Sequence, residues 1–386
     1  MFYFLVKCWI RAGLLIYFRN IKFTDRTVLK EKGPLLLACN HPNSFLDAIV
    51  VGSHFNCPVH FLARGDAFRH PLARRLLRAL KMIPIYRLSE GKEHLALNDA
   101  TFEQCKQLFL QGGIVLIFSE GLCKNQWILR PLKKGTGRIV FYKGDRKDLP
   151  ADLRIVPVGL NYTVFGKMER QVLVSTGRPY SPYTTGSIPD PEAMRKFNGK
   201  LAGELRRNVL EDDGDIQTLR SLLNNLPWRQ PPPDAITVLQ RRQAAIHGFH
   251  GTGMAEIPPL FYTLNERKTA LAAFTVLLLF IPALLSVLVH GPLYLGIRNF
   301  ARKKTAGTVF YDSVLFGLLL IIYPVYWLLL TAVVWFAGAP PIIITLAVLM
   351  PVLAWLHGIF DTSVKRLNGT GRTPPEKLQR FRKVMV

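Results

Sequence analysis

Apolar residues gather at one end of this chain. From 269 to 360 the sequence is dominated by long apolar runs, whereas residues 20 to 260 read as an ordinary globular mixture. A run long enough to cross a bilayer must satisfy its own backbone and so folds as helix. The chain therefore divides into a soluble-type domain and a helical membrane tail. Three stretches make up that tail. Residues 269–295 contain Pro282 and a Gly291-Pro292 break, and 309–336 carry only Asp312 as a charge. Residues 341–360 are about one bilayer thickness long, at ~1.5 Å of helix per residue.

Basic residues complicate the topology. Arg298, Arg302, Lys303 and Lys304 separate the first two stretches. Lys365, Arg366, Arg372, Lys377, Arg380, Arg382 and Lys383 follow the third. With a cytosolic domain and three simple spans, both clusters fall on the far side, against the positive-inside rule. The rule is met if the first stretch, broken by proline, is re-entrant or a tight hairpin and the other two form a spanning pair. Three simple spans are the alternative.

Lysine and arginine outnumber acidic residues by 50 to 26, a net charge of +24. Such a balance favours anionic lipid headgroups, phosphorylated substrates or nucleic acid. The apolar tail selects the lipid bilayer, where each basic residue near the surface contributes about 1 kcal/mol. No nucleic-acid-binding module is recognisable, so no nucleic-acid partner is expected. The cysteines (Cys8, Cys39, Cys57, Cys105 and Cys123) are odd in number and lack framework spacing. A reduced compartment fits, which leads to the expectation of a membrane protein with its soluble-type domain on the cytoplasmic face.

Residues 1–19 are apolar but carry Lys7 and Arg11 one helical turn apart, with Arg19 on roughly the same side. Mid-segment charges are costly in hydrocarbon and do not match a signal peptide, so an interfacial amphipathic helix is expected. Residues 20–226 alternate short apolar strands with helices, the pattern of an α/β sandwich. Strands are expected at 35–39, 59–62, 83–86, 114–118, 155–160 and 172–176. Helices are expected from Ser44, at 71–80, at 98–110 and within 191–225. Residues 227–267, with the Pro231-Pro232-Pro233 run, read as a linker with short helices. Residues 268–361 hold two or three membrane segments, and 362–386 form a basic cytosolic tail.

The segment Asn40-His41-Pro42-Asn43-Ser44-Phe45-Leu46-Asp47 directly follows the 35–39 strand. Six residues along a continuous helix turn about 600°, which would part the two side chains. Pro42 instead pushes His41 out of helical conformation. His41 then sits in the turn, and Asp47 in the first turn of the next helix can reach back to one imidazole nitrogen. The other nitrogen is left as a general base. The competing reading is structural: Ser44-x-x-Asp47 matches a capping box, with aspartate in place of glutamate.

Asn40-His41-x4-Asp47 resembles the first signature block of the glycerolipid acyltransferases, the glycerol-3-phosphate and lysophosphatidate enzymes. Further blocks follow in the family's order. Ile83-Pro84-Ile85-Tyr86-Arg87 resembles the second, whose arginine is implied to bind the substrate phosphate. Phe118-Ser119-Glu120-Gly121 resembles the third, normally Phe-Pro-Glu-Gly, and Ile155-Val156-Pro157-Val158-Gly159 resembles the fourth. Arg130 to Gly137 is similar to the family's basic, glycine-containing segment. The resemblance covers roughly residues 30–180.

Ser119 departs from the family's proline, and Leu122-Cys123 stand where Thr-Arg or Ser-Arg often follow the glycine. A phosphate contact expected there falls instead to Lys124, Arg130 or Lys133. The resemblance implies His41 as base and Asp47 as its partner, with Arg87 on the acceptor phosphate. Glu120 is implied to bind the glycerol hydroxyls or to orient a basic residue, and Gly121 to supply backbone freedom. Acyl-CoA or acyl carrier protein is the implied donor, and neither metal nor cofactor is required. A remodelling or dihydroxyacetone phosphate acyltransferase is the alternative within the class. A non-catalytic lipid-binding scaffold is the alternative outside it.

One feature is open on sequence alone, and a second is rejected as a metal site. Arg64, Arg69, Arg74, Arg75, Arg78 and Lys81 form a basic stretch that fits anionic lipid, a donor's acidic groups or plain solvent. His54-x2-Cys57-x2-His60 has metal-like spacing, but Pro58 intervenes and no second ligand pair lies nearby.

Overall fold

A computed structural model describes residues 1–86, 96–141, 150–168, 170–182, 191–211 and 266–370, together with 236, 237 and 240. At its centre is a seven-stranded sheet. The strands are β1 (Phe18–Phe23), β2 (Leu35–Cys39), β3 (Val59–Arg64), β4 (Met82–Ile85), β5 (Ile114–Phe118), β6 (Arg154–Tyr162) and β7 (Arg170–Thr176). They run in the order β1-β7-β6-β2-β5-β3-β4. Every pairing is parallel except β6 with β7. The α/β class read from the sequence is therefore the observed one.

β2 lies centrally, between β5 and β6, and all five of its residues are buried. This is the continuous apolar run that a parallel strand covered on both faces requires. Its side chains alternate between two cores. Leu35, Leu37 and Cys39 join one face, while Leu36 and Ala38 join the other. The first face is covered by α1 (Phe2–Tyr17) and α2 (Ser44–Gly52); the second by α4 (Asn98–Leu110), α5 (Gly135–Val140) and α6 (Pro191–Arg206). A further helix, α3 (Pro71–Ala79), has no buried residue.

The chain after β2 turns into α2 on one face, and the chain after β5 leads to α5 on the other. Adjacent parallel strands whose helices leave to opposite faces open a crevice at their carboxyl ends, where α/β proteins place their ligands. His41 follows β2 and Glu120 follows β5, so both stand at that crevice.

The tail comprises α7 (Glu266–Lys304), α8 (Tyr311–Phe336), α9 (Pro341–Val348) and α10 (Met350–Thr370). Among the described residues, two segments, Ala270–Lys304 and Tyr311–Phe336, are long and apolar enough to cross a membrane by length and composition. The expected break at Gly291-Pro292 is absent. α7 runs for 39 residues through both Pro282 and Pro292, which excludes a hairpin there. Residues 341–360 are not one helix either, since α9 ends at Val348 before α10 begins.

The tail also joins the domain. Ile297 and Ala301 of α7 and Leu315 and Phe316 of α8 belong to the same buried cluster as Leu35, Leu37 and Val50. The Arg298–Lys304 cluster therefore sits beside the α/β domain. The first half of α7 is different, with Leu271, Phe274, Leu277, Leu278, Ile281 and Leu288 all exposed. α1 is more than an interfacial float. Trp9 Nε1 donates to the Leu320 carbonyl at 3.1 Å, and the buried Lys7 donates to the Phe55 carbonyl. Gly13 lies at this crossing, where an added Cβ would stand 2.7 Å from Leu320 Cδ1 and oblige that side chain to shift.

Candidate active site

The turn between β2 and α2 brings His41 and Asp47 together. His41 Nδ1 lies 3.0 Å from Asp47 Oδ2. Asp47 is fully buried and accepts two further hydrogen bonds: Asn43 N–H donates to Oδ2 at 2.7 Å, and the Tyr162 hydroxyl donates to Oδ1 at 2.7 Å. The same carboxylate thus captures the N-cap backbone donor and the imidazole. Capping and pairing are not alternatives here. With Nδ1 held by the carboxylate, the imidazole presents Nε2 as a proton acceptor. The ring is further fixed by stacking on Phe118, with centroids 3.8 Å apart and planes 9° from parallel.

Ser44 opens α2 with φ of +52°, unusual for a residue with a Cβ. Its N–H points at Cys123 Sγ, 2.8 Å away. Burial pushes the Cys123 thiol up to about 12, so it stays a neutral acceptor. Asn40 locks the preceding residue in place. Its amide donates to the Leu160 carbonyl at 3.2 Å and accepts from Leu160 N–H at 2.7 Å, tying the end of β2 to β6.

Glu120 is buried and grips Arg130, with Nε at 2.9 Å and Nη2 at 2.5 Å from Oε2. Burial raises the Glu120 carboxyl above the usual carboxylate range, and Arg130 opposes that rise. Arg130 Nη2 also donates to the Leu122 carbonyl. Of the two roles expected of Glu120, orienting a basic residue is the one this geometry displays. Gly121 has φ of +71°, and a Cβ there would stand 2.8 Å from Lys133 Cγ, so glycine is required twice over. Lys124 N–H donates to the His41 carbonyl at 3.3 Å. Ser119, in place of the family's proline, donates its N–H to the Cys39 carbonyl at 3.0 Å, a bond proline cannot make.

His41, Asp47, Glu120, Gly121, Lys124, Arg130 and Lys133 thus gather at the ends of β2 and β5. Arg87 lies outside the described residues. Tyr86, just before it, lines a cleft of about 340 Å³ with Arg69, Arg74 and Arg78 at the ends of β3 and β4. His54 and His60 turn their Nδ1 atoms to the carbonyls of Val50 and Ile114, at 2.8 and 3.3 Å.

Residues 20–161 match the family model described as Acyltransferase. This segment is an acyltransferase domain. Among solved structures, the chain is similar to that of the 1-acyl-sn-glycerophosphate (LPA) acyltransferase PlsC from Thermotoga maritima. The identity is 18%, over 48% of this chain and 70% of that one, with a TM-score of 0.35. No curated protein matches the chain significantly. The matched acyltransferase segment runs from β1 to Asn161 and contains His41, Asp47 and Glu120. The protein is therefore an acyltransferase enzyme.

Sequence reasoning missed several residues that shape the site. Tyr162 bonds to Asp47 from β6, and its carbonyl in turn accepts from Trp127 Nε1 at 2.6 Å. Asn43 carries the N–H that holds Asp47. Nothing in the local sequence marks Tyr162, because its contact with Asp47 is made across the sheet; Asn43 is unmarked because its part is played by a backbone N–H inside the turn, which any residue but proline could supply.

Proposed function

We propose that this enzyme moves a fatty acyl group from an acyl thioester to the hydroxyl of a glycerol phosphate or lysophosphatidate at a membrane surface. The observation that carries the reading is the buried His41–Asp47 pair, facing Glu120 and Arg130 across the crevice. A glycerol hydroxyl is a poor nucleophile at neutral pH. His41 Nε2 accepts its proton as the oxygen attacks the thioester carbonyl carbon. The carbon–sulfur bond then breaks, and the imidazolium returns the proton to the departing thiolate. Asp47 stabilises the imidazolium between the two transfers. Positioned acid–base catalysis of this kind is worth about 10²–10⁴-fold.

The acceptor phosphate is assigned to Arg87, supported by the arginine-lined cleft that ends at Tyr86. A guanidinium suits it by binding phosphate oxygens in pairs. Arg130, with Lys124 and Lys133, is proposed to replace the cation that Leu122 and Cys123 do not supply. Acyl-CoA or acyl carrier protein serves as donor, and the catalytic domain faces the cytoplasm. The reading is supported by the acyltransferase domain, by the exposed apolar surface of α7 and by the net charge.

The test is acyl transfer by the full-length protein in lipid vesicles, wild type beside His41→Ala. Acyl-CoA and acyl carrier protein donors are offered to glycerol 3-phosphate, dihydroxyacetone phosphate and lysophospholipids. Transfer to phosphate-bearing glycerol acceptors that is lost in a folded His41→Ala supports the reading. Equal turnover in both proteins rules out His41 as the base. Turnover confined to acceptors without a phosphomonoester moves the enzyme to lipid remodelling.

A further inference from the structure

Asp312 is the single charge in an otherwise apolar 26-residue helix, α8. Acidic residues in membrane segments are rare, and they mark function when they face protein. Here the side chain is buried against the catalytic domain. Asp312 Oδ2 accepts from Arg170 Nη1 at 2.5 Å and from Gly166 N–H at 3.0 Å. Arg170 belongs to β7, and its side chain is wholly buried. Its guanidinium lies 5.3 Å from the centre of the Tyr162 ring, the ring whose hydroxyl holds Asp47.

A second route leads from the same pair to the same carboxylate. The Asn43 amide is assigned the orientation that its neighbours require, oxygen toward the guanidinium; so placed, it accepts from Arg170 Nη2 at 3.0 Å and donates to Asp312 Oδ2 at 3.1 Å. The backbone N–H of Asn43 holds Asp47 Oδ2. Ser313 completes the clasp. Its hydroxyl donates to the Asn43 carbonyl at 3.5 Å and accepts from Leu46 N–H at 3.1 Å. Both donors that fix Asp47 besides His41 are thus braced by the first turn of α8.

We propose that Asp312 and Ser313 are positioning residues of the active site, by which the apolar helix α8 sets the geometry of the His41–Asp47 pair. This rests on the functional reading above. A helix N-terminus favours a carboxylate in its first turn, and a buried ion pair can be purely structural. Neither of those roles requires contacts that converge on Asn43 and Tyr162. Transfer chemistry is sensitive to misplacement of this kind, since a shift of about 1 Å can cost roughly 100-fold. The helix that meets the bilayer thereby becomes part of the catalytic machinery.

The experiment uses full-length protein in lipid nanodiscs, comparing wild type, Asp312→Asn, Ser313→Ala and His41→Ala. Three quantities are read: kcat and KM for both substrates, the folded fraction, and the His41 ring resonances in histidine-labelled protein. Asp312→Asn is expected to lower kcat per folded molecule by roughly 10- to 100-fold. KM should change little, and the Nδ1 proton resonance should move or broaden. Ser313→Ala is expected to do the same to a smaller extent, and it decides the matter if Asp312→Asn does not fold. Wild-type kcat with unmoved resonances in the folded variants overturns the proposal. So does a loss of activity that merely follows the folded fraction. The ring resonances report on the pair even without turnover. A wild type that transfers nothing while Asp312→Asn still shifts them overturns the functional reading and leaves this proposal supported.

Discussion

Tyr162 donates its hydroxyl hydrogen to Asp47 Oδ1 at 2.7 Å, so the carboxylate behind His41 is held from β6 as well as from its own turn. Asp47 is fully buried, and each oxygen has a protein donor. Removing one donor from a buried acceptor costs about 1–3 kcal/mol. Tyr162→Phe keeps the ring over which Arg170 sits and removes only that donor. It is expected to fold, to lower kcat by roughly tenfold and to leave substrate KM little changed. Steady-state kinetics beside a thermal melt check this, and an unaltered kcat would remove Tyr162 from the positioning network.

Glu120 and Arg130 make a different prediction, because Glu120 holds the cation that is proposed to meet the acceptor phosphate. Glu120→Gln leaves Arg130 without its ionic partner, and Arg130→Lys loses the fork that reaches both Glu120 and the Leu122 carbonyl. Both variants are expected to raise KM for a phosphate-bearing acceptor several-fold. KM for the acyl donor should move less. Acceptor and donor titrations separate these outcomes, and an equal rise in both would place Arg130 at the donor instead.

His54 couples stability to pH at a distance from the chemistry. Burial, assisted by the charges of Arg11, Arg26 and Lys7, lowers its imidazole from 6.5 to about 4. The fold therefore favours the neutral ring, while the unfolded chain takes up a proton near its ordinary value. Stability from this site is full above about pH 6.5 and is lost as pH falls toward 4. Relative to His54→Asn, the wild type should lose melting temperature across that window and hold steady above it. Calorimetry of the two proteins at pH 7, 5.5 and 4.5 gives the comparison, and parallel curves would show that folding does not change the proton affinity of His54.

How much of this was legible in the sequence depended on chain distance. His41 and Asp47 could be read because a strand, a proline turn and a helix start bring them together within eight residues. The buried strands Leu35–Cys39 and Ile114–Phe118 were equally plain, as short apolar runs. β1 was hidden because Phe18–Phe23 mixes polar and apolar residues at the sheet edge. α5 was hidden because Gly135-Thr136-Gly137 is a poor helix former. Pro282 and Pro292 read as breaks, since proline removes a helical hydrogen bond, yet α7 continues through both. The Arg170–Asp312 pair joins residues 142 positions apart, and only tertiary packing reveals it. Its one trace in the sequence was the lone acid of an apolar stretch.

The last prediction concerns the tail, which an anchoring role would make dispensable for folding. Ile297, Leu315 and Phe316 are buried in the core that β2 and α2 share. Burial of such side chains is worth about 1.5–3 kcal/mol each. Removing Asp312 also strands the Arg170 guanidinium, and breaking a buried pair costs about 3–5 kcal/mol. Together these losses approach the whole stability of an ordinary domain, about 5–15 kcal/mol. A fragment ending at residue 226 is therefore expected to be insoluble or to lack fixed tertiary packing, and to be inactive even when tethered to vesicles by a foreign anchor. Near-ultraviolet circular dichroism and acyl transfer by the tethered fragment test this. A folded, active fragment would reduce the tail to an anchor, whereas an unfolded one would mean that the apolar helices are part of the catalytic domain.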